Sequence, residues 1–141
     1  IDNSIILTGD IHCSWANDIP VDPATYDPAT GAGSVIVEMV CPAISSPGMG
    51  SVTAANTRRL IDEEAHYVRF FDPDQRGYVV LDIDATRAQG AWYFLQDIAN
   101  PEPAGGVERF AAALSVAAGE THLVTDTAAA APIADPPALA P

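Results

Sequence analysis

The chain has no lysine, and its 6 basic side chains, all arginine, face 19 Asp and Glu for a formal charge of −13. Such an excess repels phosphate backbones and excludes a non-specific nucleic-acid scaffold. Cysteine is scarce as well. Cys13 and Cys41 lie far apart with no Cys-x-x-Cys and no Cys/His ladder, which excludes a zinc ribbon or a thioredoxin-type site. Two buried thiols, one disulfide, or a thiol beside a metal are the readings left open. Long apolar runs are also missing. Ser4 to Leu7 and Ser34 to Val40 fall far short of the ~20 residues that span a bilayer, so no membrane span is expected. Nothing repeats at a fixed period. The opening at Ile1, with no leader, carries the expectation of a processed or excised piece.

What is present suffices for one core. With 141 residues, 48% of them hydrophobic and 18% charged, the chain holds enough apolar surface to offset its ordering entropy. Ser4-Ile5-Ile6-Leu7-Thr8 reads as a buried strand ending at Gly9-Asp10, and ligands of α/β proteins gather at such ends. Breakers at Pro20, Pro23, Pro28 and Gly31 predict a surface loop over 17–33. Ser34 to Cys41 reads as a second strand, closed by Pro42, in which Glu38 must face something polar. The Ser, Pro and Gly content of 45–50 predicts a turn-rich stretch.

Good helix formers over Thr53 to Ala65 predict a short helix capped by Thr53 or Asn56. Hairpin-connected strands follow over 66–71, 78–84 and 91–95, with Trp92, Tyr93 and Phe94 read as core. The alanine-rich 107–118 segment suits a helix or a strand equally, with Thr121 to Thr125 as its strand partner in the second case. Ala128 to Pro141 is mostly Ala and Pro with one acid and cannot build a core.

Chemistry concentrates after the first strand. Asp10 and His12 stand one residue apart, and alternate residues of an extended segment project to one side, where a carboxylate and an imidazole can hold a hard or borderline cation. An Asp that turns the chain with a His packed beside it is the plainer alternative. The string Leu7-Thr8-Gly9-Asp10-Ile11-His12-Cys13-Ser14-Trp15 resembles the Gly-Asp-x-His-x-x-Trp segment of PhoD-like alkaline phosphatases. In the same order, Val37-Glu38-Met39 with its following Pro, Ser and Gly-rich loop, and Arg76-Gly77-Tyr78, are similar to that family's Glu-Phe and Arg-Gly-Tyr segments.

The resemblance, which covers about residues 4 to 97, implies the C-terminal part of a metallophosphatase catalytic domain over 1–126, followed by an Ala/Pro-rich disordered or extended tail over 127–141. The fold class it implies is α/β (α+β), the β-rich C-terminal part of a four-layer α/β/β/α sandwich. It makes Asp10 and His12 metal ligands and Trp15 a packing residue beside them, and assigns no catalytic residue in this stretch. Fe3+ with Ca2+ are the implied cofactors, with Zn2+ or Mn2+ as alternatives.

The implied activity is hydrolysis of phosphomonoesters, phosphodiesters or both, in an exported protein of the periplasm or the extracellular space. Two ligands do not make a multi-metal cage. An N-terminal complementary segment or chain is therefore the expected partner, the isolated chain is expected to be inactive, and strand edges are expected to lie open where that partner would pair. Arg76 is read as a structural corner, with phosphate contact as its alternative. His66 is read as a surface-to-core histidine, and His122 receives no function. A non-catalytic β-rich domain that packs on a partner chain is the alternative for the whole.

Overall fold

The computed structural model describes residues 3–96 and 107–132. Their strands are β1 (Ile5–Thr8), β2 (Ser14–Pro20), β3 (Ser34–Val40), β4 (Val68–Asp72), β5 (Gly77–Ile83), β6 (Arg87–Leu95), β7 (Glu108–Ala117) and β8 (Val124–Asp126). One α-helix, α1 (Ser51–Glu63), lies between β3 and β4. The strands form two sheets of four, ordered β1-β3-β2-β4 and β5-β6-β7-β8. This is a β-rich portion of an α/β fold.

The core is the space between the sheets. Ala16, Val37 and Met39 of the first meet Ala88, Trp92, Phe94, Leu114 and Val116 of the second, with Leu123 at the margin. Trp92 is fully buried, and its indole N–H donates across the gap to the Val40 carbonyl at 3.1 Å. A buried indole needs such a partner, and this one ties the sheets together. Gly90 lets them approach closely: a Cβ there would stand 2.6 Å from the Met39 sulfur.

β1 and β3 run parallel, Ile5 beside Val37 and Thr8 beside Val40, whereas β2 pairs antiparallel on the other side of β3. The predicted loop over 17–33 is therefore partly wrong. Residues 17–20 belong to β2, a central strand, and Pro20 is tolerated because it is the last residue of the strand, at a register shift. The remainder is a loop with a single 3-10 turn over Pro23–Thr25, capped by the Asp22 carboxylate on the Ala24 N–H.

The helix starts at Ser51 after Gly50, so neither Thr53 nor Asn56 caps it, and Ala54 is its buried residue. Across 107–118 the strand wins: β7 is held on both sides, by β6 and β8, and this pairing overrides the helix preference of alanine. The first residues of the expected tail are held in place. The Gln89 side chain on β6 accepts from the Ala130 N–H at 2.6 Å and donates to the Ala128 carbonyl at 3.3 Å. The rest of that tail, from 133 on, lies outside the described residues.

Candidate metal-ligating loop

The loop that leaves β1 carries both sequence-predicted ligands. It opens beside the end of β3, where the Cys41 N–H donates to the Thr8 carbonyl at 2.9 Å. It then turns rather than continuing extended: Asp10 and His12 both take left-handed backbone angles, with φ of 70° and 63°. Each such residue costs roughly 1–2 kcal/mol where glycine would cost little. The two side chains are thus presented by a strained bend, not by the alternation of a strand. Asp10 is exposed and His12 half-buried.

The orientation of His12 is set. Its Nδ1 lies 3.2 Å from the Pro47 carbonyl, and a carbonyl only accepts, so Nδ1 carries the proton. Nε2 is then the nitrogen left over for a ligand, as in a ligating histidine whose other nitrogen is fixed by a carbonyl. A carboxylate and an oriented imidazole suit a borderline cation, but two donors do not close a cage. Among the described residues no group of three His, Cys, Asp or Glu converges to complete one.

The surroundings are shaped by β2 and β3. Trp15 packs on Phe71 with ring centroids 4.1 Å apart and the planes tilted by 39°. Glu38 does meet polar groups: Thr8 Oγ1 and Asn17 Nδ2 each donate to it at 2.9 Å. Beside the loop, a cavity of about 390 Å³ is bounded by Thr8, Gly9, Ile11, Trp15, Asn17 and Glu38. Of the residues that bound it, Trp15 and Asn17 also hold a buried indole N–H and a buried Oδ1 without a partner. Burial raises the Cys13 thiol above its ordinary value, and its sulfur contacts the Pro73 carbonyl at 3.4 Å. Cys13 and Cys41 are both free.

Arg76 forms a corner: Nε donates to the Ser46 carbonyl at 3.2 Å and Nη1 to the Asp74 carbonyl at 2.7 Å. His66 is exposed, outside the core. Of the aromatic cluster, Trp92 and Phe94 are core and Tyr93 is half-buried.

The sequence reading missed one polar cluster. Asp18 on β2 is fully buried and takes hydrogen bonds from the Tyr26 hydroxyl at 2.6 Å, His122 Nδ1 at 2.6 Å and the Leu123 N–H at 2.8 Å. Period-two alternation over Ser14, Ala16 and Asp18 was the available signal for an inward-facing strand. Nothing local linked Asp18 to His122.

Comparison with known proteins bears on this geometry. The sequence model described as PhoD-like phosphatase matches residues 1–92, which include the β1 loop, Pro47 and Arg76. Alkaline phosphatase D of Bacillus subtilis (strain 168) is 39% identical over 80 residues, covering 56% of this chain and 12% of that protein. A solved structure of PhoD superposes with a TM-score of 0.68 and 25% identity, over 92% of this chain and 23% of that one. The chain thus spans less than a quarter of the length of these relatives. With well over half of its residues matched, it belongs to the PhoD-like phosphatase family.

Proposed function

We propose that this chain is the C-terminal part of a metal-dependent phosphatase that hydrolyses phosphomonoesters, phosphodiesters or both, and that Asp10 and His12 supply two of its metal ligands. The observation that carries the reading is the Pro47 carbonyl on His12 Nδ1, which leaves Nε2 available beside an exposed carboxylate in one strained loop. Fe3+ with Ca2+, or Zn2+ or Mn2+, would be held there together with ligands from an N-terminal complementary segment. When bound, such cations neutralise charge on the phosphoryl oxygens and acidify water.

The residues of this chain do the holding. Asp10 contributes a charged oxygen, His12 a neutral nitrogen of fixed tautomer, and Trp15 packs the strand behind them against Phe71. The complementary segment covers apolar surface that is now open, including Leu7 at 55% and Ile11 at 52% exposure. The isolated chain is inactive, and the complete enzyme is exported to the periplasm or beyond. In the reassembled enzyme, Asp10→Ala or His12→Ala abolishes turnover of a chromogenic phosphate ester. Full turnover in both variants overturns the assignment.

The same exposed apolar surface favours a second reading, a non-catalytic β-rich domain that packs on a partner chain. Under that reading the partner still binds when Asp10 and His12 are both replaced, and bound metal stays at the wild-type amount.

A further inference from the structure

The turn between β4 and β5 reaches the neighbourhood of His12 by two routes. Asp72 caps it, accepting from the Asp74 and Gln75 N–H groups at 3.0 and 2.7 Å. Along the first route, the Pro73 carbonyl receives the Met49 N–H at 2.8 Å and the thiol of Cys13, the residue that follows His12. Along the second, Arg76 bridges the Asp74 and Ser46 carbonyls, and the residue after Ser46 is Pro47, the acceptor of His12. Gly48 permits the approach, because a Cβ there would run into the Pro73 carbonyl. The Gly77 N–H adds a bond to the Ala43 carbonyl at 3.0 Å. The 43–49 loop has no regular structure of its own, so these contacts fix where the Pro47 carbonyl sits.

We infer that Arg76 is the positioning residue of His12: by clamping Ser46 against the 72–77 turn it holds the Pro47 carbonyl where it captures Nδ1–H, and so turns Nε2 outward. Both donor groups of Arg76 that matter are spent on main-chain carbonyls, the use that a planar guanidinium with several donors serves better than an ammonium. A residue that fixes the tautomer of a ligand acts on metal affinity without touching the metal. The importance of this clamp for catalysis rests on the reading of His12 as a ligand; the clamp itself does not.

The test is nitrogen-15 NMR of the histidine rings, which reports which imidazole nitrogen carries the proton, on the purified protein with any polypeptide that accompanies it and without added metal. Wild type shows His12 as the Nδ1–H tautomer. Arg76→Gln shifts most of His12 to Nε2–H, while the signals of His122, held on Asp18, stay in place and show that the fold survives. Arg76→Lys, which keeps the charge and a single donor, recovers part of the Nδ1–H form, and it carries the question if the glutamine variant loses the His122 signals.

His12 remaining Nδ1–H as in the wild type in a folded Arg76→Gln variant, or showing no loss of that form at all in Arg76→Lys, overturns the proposal. Loss of the ligand reading would appear elsewhere, as metal content indifferent to His12→Ala with the tautomer result intact.

Discussion

Asp18 and His122 lie 104 residues apart in sequence, and their side chains meet at 2.6 Å across the two halves of the fold. The carboxylate is fully buried, so each of its donors matters: Tyr26 from the loop after β2, His122 and the Leu123 N–H from the segment before β8. Arg69 on β4 braces the arrangement by donating to the Pro28 carbonyl at 2.8 Å. Gly31 packs directly on the His122 ring, where any Cβ would collide. His122→Ala removes one donor from a buried charge and is expected to cost about 1–3 kcal/mol. His122→Gln, which restores an N–H donor, costs less. Urea unfolding midpoints check this, and a wild-type midpoint for His122→Ala contradicts it.

Two tyrosines ionise late. Burial, then the hydrogen bond to Asp18, push Tyr26 from 10.0 up to about 12, and the hydrogen bond to Glu108 pushes the half-buried Tyr78 up to about 12. In both the folded state keeps its proton longer than the unfolded chain. Their contribution to stability is therefore full below pH 10 and is lost as pH rises from there through about 12. Ultraviolet titration of phenolate formation shows two delayed groups. Glu108→Gln returns Tyr78 toward its ordinary range, and an unchanged Tyr78 titration in that variant contradicts the account.

The two thiols differ in reactivity. Cys13 is fully buried and its thiol is raised by burial, which lowers its thiolate fraction, whereas Cys41 is half-buried. A thiol reagent is expected to modify Cys41 first in the native protein and Cys13 only on unfolding, with two thiols counted in denaturant without reductant. A disulfide, or rapid modification of Cys13, contradicts this.

The open edge of the first sheet has a consequence for the chain on its own. β1 pairs with β3 alone among the described residues, leaving Ile6 and Leu7 at 39% and 55% exposure, and Ile83 on β5 is 67% exposed. Such an edge recruits other strands. The isolated chain is expected to self-associate in sedimentation runs, with Leu7→Lys plus Ile83→Lys reducing the association. A strictly monomeric wild-type chain contradicts this.

Much of this was legible because it was local. β3 and the helix announced themselves by composition, and so did β1 as a strand, though not the buried one expected, since Ile6, Leu7 and Thr8 are exposed. The Gly9-Asp10-Ile11-His12 segment stood out by its place after an apolar strand. What stayed hidden depended on distant partners. Residues 17–20 of β2 read as part of a loop because Pro20 opens a series of breakers, yet Glu38 satisfies Asn17, the Tyr26 and His122 side chains satisfy Asp18, and Pro20 ends the ladder. The 107–118 segment reads equally as helix or strand because alanine favours a helix until β6 and β8 flank it. The presentation of Asp10 and His12 by left-handed residues was also hidden, since neither residue type demands such a backbone.

Asp10 and His12 are proposed to hold metal in an enzyme completed by another segment. Elemental analysis joined to intact-mass counting of polypeptides, on the assembled wild type and the Asp10→Ala and His12→Ala variants, tests it most directly. A complementary polypeptide is expected in every sample, with stoichiometric metal in the wild type and a clear loss of metal in each variant. Equal metal in all three samples, or an active wild type with no second segment, would contradict it.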